Sequence, residues 1–534
     1  MREHGALLKL LALLCIVVAV RSVSLDRSSF EFQRRRHTLE RRDLPSYYTK
    51  DIGIYPGGNT NGYIKGWTEL PAMDGAKVDN DTFTVGTQGA TITTYINENY
   101  DASKIKRVVI QVHGEYRDAW NQWMYANMSA TNASKISDFS IDEVLVVAPM
   151  FFSLNDYQAY PHDANNVSTT KILVWDQNGW GDTEDALWPS FNSNGQLDNP
   201  AYNFTTATSS KSKSTSKSKS KSKSTSKSKK SSSSEADNTA TDSSDESSSD
   251  TTSSLAKRRL IDVSSEEAAS NGPGLSVLDV FDAYVNYFSN KAIFPNMQTI
   301  VVAGFSMGGQ AVNRYVTFRP DTSKESMINY WISSPASFLY LNDSRPVPSS
   351  SCKDYDDYKY GLNGTLPGYV NRTAAENTPE IIQNRYLSRK VSYFVGLQDS
   401  NDGDNSCAAN TQGKGHVDRM DNWVQKVLPY LPNNTRSEEI PTTVSYARIE
   451  SVPHLANGVI LSSAGMQTLF TDDFNGRNNN AKGPQPVKYG AQTNLTPDAD
   501  LPSSAKSGSQ SRRNTPGVTF IATLAALLAY LNYS

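Results

Sequence analysis

The sequence predicts a mostly parallel α/β sheet flanked by helices and folded as one large domain. Short apolar runs rich in β-branched residues alternate with stretches of helical periodicity, a pattern typical of parallel sheets. One such run, 299–303, leads into a G-x-S-x-G motif at 304–308, and a helical pattern follows at 310–316. Continuous apolar runs such as 107–112 are typical of strands that are buried on both faces.

The same patterns give approximate bounds for the elements. We expect an opening hairpin from 82–87 and 90–96, and further strands at 107–112, 143–148, 299–303, 327–333, 391–397 and 444–449. A helix is predicted at 275–288, because its apolar residues recur at helical spacing. A long excursion separates this helix from the strand that precedes it in the chain.

A Ser/Lys-rich insert lies inside that excursion. Residues 211–230 are almost entirely Ser and Lys, and 231–254 are Ser and Thr interspersed with acidic residues. A segment with almost no apolar residues cannot offset the entropy lost on ordering, so we expect 207–258 to be a disordered surface insert. It divides the predicted α/β domain into an N-terminal part, 43–206, and a C-terminal part, 259–480, with a candidate processing site at Lys257-Arg258.

The N-terminus predicts export. Residues 1–24 combine basic residues with a short apolar core at 10–20, which is typical of a cleaved signal peptide and too short to span a bilayer. The basic segment that follows, 25–42, is either a pro-segment cut after a dibasic site or a solvated arm. Although the net charge is −3 and basic clusters occur, an exported protein would not meet nucleic acid.

The C-terminus predicts attachment to a membrane. A linker at 481–509 ends in Ser507-Gly508-Ser509, small residues suited to a GPI ω-site. The segment 510–534 adds a polar spacer and an apolar tail, the order of a GPI-attachment signal. The alternative is a transmembrane tail anchor, although the tail lacks a basic flank. Both interpretations predict a cell-surface protein.

Sequons and cysteines also fit an exported protein. Ten N-x-S/T sequons lie before the C-terminal tail, a density expected of a glycosylated surface; they stand at Asn80, Asn127, Asn132, Asn166, Asn203, Asn342, Asn363, Asn371, Asn433 and Asn494. Of three cysteines, Cys15 lies in the predicted signal, so Cys352 and Cys407 are expected to form one disulfide. Each follows a predicted strand, and their bridge would hold the loop that carries Asp399.

Ser306 is the candidate nucleophile. A strand, a sharp turn carrying G-x-S-x-G and a helix together predict a nucleophile elbow, which presents the serine at its tip. Side chains at Gly304 and Gly308 would collide where the strand and the helix cross. A serine hydroxyl also needs a base, an acid that orients the base, and donors for the oxyanion.

His454 is the candidate base. It stands in the loop beyond the predicted strand 444–449, and nucleophile elbows of this type are followed in the chain by the acid and then the histidine. His416 is the competing histidine. It begins a predicted helix, and we assign it a surface or capping role.

Asp399 is the candidate acid. It directly follows the predicted strand 391–397, and a carboxylate at that end of a parallel strand lies at the same edge as the elbow. Asp402 and Asp404 are close rivals. They would equally suit a turn rich in Asn, Asp and Gly.

Two backbone positions are the candidate oxyanion donors. The N–H of Met307 begins the helix after the elbow. A second donor is expected from Gly114 or Glu115, in the loop after the strand 107–112. We assign the neighbouring His113 a structural role, while the glycine allows the backbone to approach a substrate carbonyl.

These motifs resemble secreted α/β-hydrolases of the kind that fungi export. The resemblance rests on the His-Gly block with R-D-A-W at 117–120, the G-x-S-x-G-G-Q block, and the cysteine loop 407–419. The C-x-x-x-x-Q-G portion of that loop is also similar to secreted carbohydrate-ester and polyester hydrolases. The resemblance covers 80–470 apart from the insert. It implies an α/β-hydrolase fold with a triad of Ser306, Asp399 and His454, without a metal or an organic cofactor.

An aromatic cluster in the excursion has two interpretations. Tyr157, Tyr160, Trp175, Trp180 and Trp188 could cap the cleft and stack on sugar or aryl groups, or they could simply pack a long insertion.

The sequence therefore predicts a surface-anchored serine hydrolase that acts on esters of small molecules, polysaccharides or polyesters. Two alternatives stay open: a catalytically inactive glycosylated surface protein on the same scaffold, and a serine peptidase. Neither the substrate nor the oligomeric state can be inferred, because this fold hosts many chemistries.

Overall fold

The computed structural model describes residues 55–59, 61–87, 89–161, 171–187, 274–372, 376–400, 403–472 and 487–495. All of them belong to a structural unit that ends at residue 500, and a second unit, 501–534, lies outside the described residues. The predicted signal peptide, basic segment, Ser/Lys-rich insert and C-terminal attachment signal also lie outside them and stay predictions.

Thirteen strands are present among the described residues. They are β1 (Ala76–Asp79), β2 (Thr84–Val85), β3 (Ala90–Thr91), β4 (Thr94–Asn97), β5 (Arg107–Val112), β6 (Val144–Pro149), β7 (Phe152–Ser153), β8 (Val174–Trp175), β9 (Thr299–Phe305), β10 (Ile328–Ser333), β11 (Lys390–Gly396), β12 (Val444–Ile449) and β13 (Ala491–Leu495). Every residue of β5, β6, β9 and β10 is buried, which explains their continuous apolar sequences.

Nine of these strands form the central sheet, in the order β1-β4-β6-β5-β9-β10-β11-β12-β13. Strand β4 pairs antiparallel with β1 and β6, and every other pairing in this sheet is parallel. The predicted fold class is confirmed: a large, mostly parallel sheet flanked by helices, with a central strand that runs into the serine turn, is an α/β-hydrolase fold.

The helices cover the sheet and connect its strands. The α-helices are Gly62–Lys65, Ala119–Lys135, Val277–Phe288, Met307–Phe318, Gly368–Arg372, Pro379–Ser388, Cys407–Gln412, His416–Asn422, Ala456–Ile460 and Ser463–Met466. Short 3₁₀ turns occur at Ile141–Glu143, Leu154–Asp156, Gly179–Asp182, Glu325–Met327 and Leu428–Tyr430, and π turns at Trp423–Val427 and Gln467–Thr471. Local sequence fixes several helix starts, because Ser276 forms a capping box with Asp279 and Thr378 caps a helix that begins with Pro379.

Part of the opening hairpin prediction is wrong. Only β2 and β3 pair with each other, over two residues each, and β4 leaves them to join the central sheet. The edge strands β1 and β13 were not predicted. Their residues are largely half-exposed and lack an apolar run, so neither carries the signature of a buried strand.

The parallel register brings several loops to one edge of the sheet. Val112 of β5 pairs with Gly304 of β9, and Ser333 of β10 pairs with both Phe305 of β9 and Phe394 of β11. The segments that leave these strands therefore start side by side. This edge carries the candidate site.

The exposure of the sequon asparagines and the length and polarity of the helices can be read from the structure. Eight of the ten sequon asparagines lie among the described residues, and each of those eight is at least partly exposed; Asn166 and Asn203 lie outside them. Across the described ranges, no helix is both long enough and apolar enough to cross a membrane.

Candidate active site

Ser306 occupies a strained turn between β9 and the helix Met307–Phe318. Its φ of 57° and ψ of −120° are unusual for a residue with a side chain. Backbone hydrogen bonds hold this conformation: the Ser306 N–H donates to Ser333 O at 2.8 Å, and the Gln310 N–H donates to Ser306 O at 3.0 Å. The turn presents the hydroxyl at the edge of the sheet, as a nucleophile elbow does.

The glycines of the motif are required by close backbone packing. A Cβ added at Gly304 would lie 2.3 Å from the carbonyl carbon of Gly308. A Cβ added at Gly308 would lie 2.5 Å from His113 O and 2.7 Å from Val112 O. Because the obstacles are backbone atoms, they cannot rotate away, so larger residues would displace the helix from the strand.

Ser306, His454 and Asp399 form one hydrogen-bonded chain. The His454 Nε2 lies 3.0 Å from Ser306 Oγ, and its Nδ1 lies 2.7 Å from Asp399 Oδ2. An ionised carboxylate only accepts hydrogen bonds, so Nδ1 carries the proton and Nε2 is free to accept from the serine. The His454 side chain is 16% exposed, which leaves the base within reach of a substrate.

Asp399 is buried and ionised in this setting. Burial alone favours the neutral carboxyl, but the electrostatic interaction with His454 and the hydrogen bonds from His416 and His454 outweigh it. The pKa of Asp399 is therefore held below its ordinary value. A carboxylate that stays charged can orient His454 and stabilise its protonated form.

The rival acid Asp404 makes other contacts than His454. Asp404 instead accepts hydrogen bonds from the Tyr360 hydroxyl at 2.6 Å and from the Ser406 N–H at 2.9 Å, and it helps to order the loop. Asp402 lies outside the described residues.

The surface or capping role assigned to His416 is wrong. Its ring is buried, with 1% exposure, although it does begin a helix as expected. Nδ1 of His416 lies 3.1 Å from Asp399 Oδ1, and its ring stacks on that of His454 with centroids 4.4 Å apart. Sequence reasoning missed this contact, for which the scarcity of histidines in the chain was the only signal.

His113 fixes the loop that is expected to supply an oxyanion donor. Its Nε2 accepts the Phe151 N–H at 3.0 Å, so Nδ1 carries the proton and donates to Gly114 O at 2.8 Å. Burial lowers the pKa of His113 to about 3, which keeps the ring neutral. His113 thus has the structural role that we expected for it.

Two of the three candidate oxyanion residues, Gly114 and Met307, adjoin the serine. A Cβ added at Gly114 would lie 3.3 Å from Ser306 Cβ, so the glycine lets this loop approach the hydroxyl. Met307 begins the helix, where the first N–H groups have no partner within the helix. Glu115 follows Gly114 in the loop and is exposed.

A buried ion pair anchors the far end of this loop. Both Nε and Nη2 of Arg117 donate to Asp156, at 2.7 and 3.0 Å, and both side chains are almost fully buried. The Arg117 N–H also donates to Gly114 O at 3.1 Å. Arg117 lies in the R-D-A-W motif at 117–120, but the motif does not indicate this role. Its partner was undetectable because Asp156 lies 39 residues away.

The excursion packs on the elbow. A Cβ at Gly181 would lie 2.1 Å from Met307 Cγ, and Gln310 Nε2 donates to Asp182 Oδ1 at 2.8 Å. Packing explains most of the aromatic cluster, since Trp175 and Trp180 are fully buried and Tyr160 nearly so. Tyr157 is half-buried, and Trp188 lies outside the described residues.

The structure pairs Cys352 with Cys407 in a disulfide. Cys407 begins the helix Cys407–Gln412, and the segment after it leads to His416. Arg419 ties this region together, since it donates to Asp404 O at 2.7 Å and to Ala336 O at 2.6 Å.

Reduction of this disulfide is expected to lower activity before the core unfolds. Loosening the segment would displace His416 and Asp399 relative to Ser306, and a shift of about 1 Å in such a site can reduce the rate by about a hundredfold. Ester hydrolysis and near-UV circular dichroism should be followed together through a dithiothreitol titration. Activity that is unchanged while the cysteines become free would contradict this role.

Asp399, His416 and His454 also place three ligand-type atoms within 4.8 Å of one another. Two-histidine, one-carboxylate sets can hold transition metals. Here, however, each carboxylate oxygen faces a protonated Nδ1, and a metal would have to displace these protons. The donor set fits hydrogen bonding better than metal binding.

The likenesses to known proteins described below are remote. No protein-family model matches the chain, and no curated protein matches it. Among solved structures, poly(aspartic acid) hydrolase-1 from Sphingomonas sp. KT-1 is 12% identical with a TM-score of 0.33, over 72% of this chain and 95% of that one. LpqC, a poly(3-hydroxybutyrate) depolymerase from Bordetella parapertussis, is 13% identical with a TM-score of 0.36, over 78% and 94%. A Pyrobaculum calidifontis esterase is 13% identical with a TM-score of 0.26, over 74% and 82%.

Proposed function

We propose that this protein is a serine hydrolase that cleaves carboxylic esters through Ser306, His454 and Asp399. The observation that carries the proposal is the continuous chain from Ser306 Oγ to His454 Nε2 at 3.0 Å and from His454 Nδ1 to Asp399 Oδ2 at 2.7 Å. A protein that uses the fold only as a scaffold has no need to keep a strained serine in line with a histidine and a buried carboxylate.

The reaction follows from this geometry. Ser306 Oγ attacks the ester carbonyl carbon while His454 Nε2 takes its proton, and Asp399 stabilises the resulting imidazolium. The backbone N–H of Met307 and one from the Gly114-Glu115 loop hold the oxyanion. His454 then gives its proton to the departing alcohol, leaving an acyl-serine. Water, deprotonated by His454, then attacks the acyl-serine carbonyl, and the carboxylic acid leaves as His454 returns the proton to Ser306 Oγ.

An ester and the corresponding anilide distinguish the three hypotheses: an esterase, a serine peptidase and an inactive scaffold. Purified protein should hydrolyse p-nitrophenyl acetate, with little turnover of p-nitroacetanilide, because an aniline is a poorer leaving group than a nitrophenolate. Comparable turnover of a peptide anilide would favour a serine peptidase. Folded protein that turns over neither substrate would support the inactive scaffold.

We also propose that the protein acts at the cell surface. The support comes from the signal-like segment 1–24, the sequons and the candidate ω-site at Ser507-Gly508-Ser509. Release of the protein from intact cells by a phosphatidylinositol-specific phospholipase would support a GPI anchor. Retention after that treatment, with extraction by detergent, would favour a transmembrane tail.

A further inference from the structure

We propose that His416 is a positioning residue for the triad: as a neutral ring it donates one hydrogen bond to Asp399 and stacks on His454. The inference rests on the proposed function and adds a fourth member to the site. His416 itself does not reach the serine. Its contacts instead determine where the acid and the base are held.

The two histidines share one carboxylate, each facing one of its oxygens. His454 Nδ1 lies 2.7 Å from Oδ2 of Asp399, and His416 Nδ1 lies 3.1 Å from Oδ1. A carboxylate that is bound at both oxygens cannot rotate about its terminal bond without breaking one of them. His416 therefore fixes the plane of Asp399, and through it the direction of the bond to His454.

The rings reinforce this arrangement by stacking. Their centroids lie 4.4 Å apart with an angle of 23° between the planes. Phe305 also contacts the His454 ring, with ring centroids 4.7 Å apart and an angle of 45° between the planes. The base is thus in contact with two rings, which restricts its tilt and keeps Nε2 directed at Ser306.

The surroundings of His416 favour its neutral state. Its Nε2 has no hydrogen-bond partner among the described residues, and a Cβ added at Gly403 would lie 2.7 Å from this nitrogen. A proton on Nε2 would therefore be buried and unpaired, which is costly. Among the described residues, the charged or titratable groups that face the ring are Asp399, His454 and Arg419. Burial, followed by the electrostatic interaction with His454, lowers the pKa of His416, while Asp399 opposes this and Arg419 adds to it.

Because His416 is neutral, it can hold Asp399 in a way that a second cation could not. During the reaction His454 gains a positive charge, and a protonated ring stacked on it would repel that charge. A neutral donor holds Asp399 without this penalty. By sharing the negative charge of Asp399, it also limits how strongly the carboxylate stabilises protonated His454.

Two substitutions separate the hydrogen bond from the packing. In His416→Leu, the volume is largely kept but the donor is lost. Asp399 then stabilises protonated His454 more strongly, so the acid limb of the kcat/KM profile should move to higher pH by on the order of one unit. We expect kcat to fall by about tenfold, because Asp399 is no longer held in the plane that directs His454 Nε2 at Ser306. KM should not change, because His416 is buried away from the substrate.

The matched variant His416→Asn restores a neutral donor near the position of Nδ1. Its acid limb should return to that of the wild-type protein, and its kcat should recover. An unshifted acid limb in His416→Leu would overturn the proposal. The same would follow if the Leu and Asn variants shifted equally, since the ring alone would then matter.

Nuclear magnetic resonance of the wild-type protein tests the contact without any need for activity. With ¹⁵N-labelled histidine, His416 should keep a protonated Nδ1 and an unprotonated Nε2 from pH 5 to pH 8, about the range in which an ordinary histidine titrates. An imidazolium, or the opposite tautomer, would overturn the proposal even if the variants fail to fold. This experiment detects the tautomer without turnover, so failure of this inference and failure of the proposed function can be told apart.

Discussion

Replacement of Ser306 with alanine is expected to lower ester hydrolysis by about a millionfold, to the level of the uncatalysed reaction plus residual binding effects. The hydroxyl is the only group in the described site that is aligned with a base, at 3.0 Å from His454 Nε2. Serine and alanine both carry a Cβ, so the positive φ at this position strains them alike. The turn and the fold should therefore be kept. Initial rates with p-nitrophenyl acetate measure the loss.

A matched serine variant separates this effect from general damage. Ser103 lies exposed in a loop before β5 and takes no part in the site, so Ser103→Ala should hydrolyse the ester at the wild-type rate. Circular dichroism of both variants checks that they are folded. A Ser306→Ala variant that keeps activity within about tenfold of wild type would show that the serine is not the nucleophile.

Replacement of Asp399 with asparagine should lower kcat by about ten thousandfold. The asparagine amide is nearly the same size but can donate to His454 Nδ1, which favours the tautomer with a proton on Nε2. That nitrogen could then no longer accept the serine proton. The charge that stabilises the imidazolium is lost as well.

Asp404→Asn is the matched control for this change. Asp404 stands in the same loop but contacts Tyr360 and Ser406, and an asparagine can still accept a hydrogen bond. We expect its rate to stay close to that of the wild-type protein. If Asp404→Asn were the more damaging substitution, the assignment of the acid would be wrong. Steady-state kinetics of both variants over a range of pH values makes the comparison.

The arrangement of strand ends and turn could be predicted from the sequence. The apolar run at 299–303 implies a buried strand, and the glycines after it imply a turn with no room for side chains. Parallel strands end at the same edge, so Asp399 and His454 could be associated with Ser306 from their positions after strands alone. These inferences depend on local sequence and on one topological rule.

The contacts that lie beyond this rule could not be predicted. His416 reaches Asp399 only because the helix that it begins is packed against β11 and is tied by Arg419 to the neighbouring loops. Likewise, Arg117 and Asp156 pair although 39 residues separate them, and no local sequence pattern at either position indicates its partner. Tertiary packing decides such contacts, and periodicity reports only which side of an element is buried.

The role of the aromatic cluster in the excursion was also decided by tertiary packing and not by local sequence. Trp175 and Trp180 are residues of the type that forms stacking platforms, yet both are fully buried in the domain. Aromatic rings bury large areas and are used in cores as readily as in binding sites. Sequence alone could therefore not decide between packing and binding.

The most direct measurement is to label the folded protein with a fluorescent fluorophosphonate and to map the adduct by peptide mass spectrometry. This reagent forms a stable bond only with an activated serine, and it requires no knowledge of the natural substrate. We predict one adduct per chain, on the peptide that contains Ser306, and none in Ser306→Ala. Absence of labelling in correctly folded protein, or an adduct on another serine, would contradict the proposed role of Ser306.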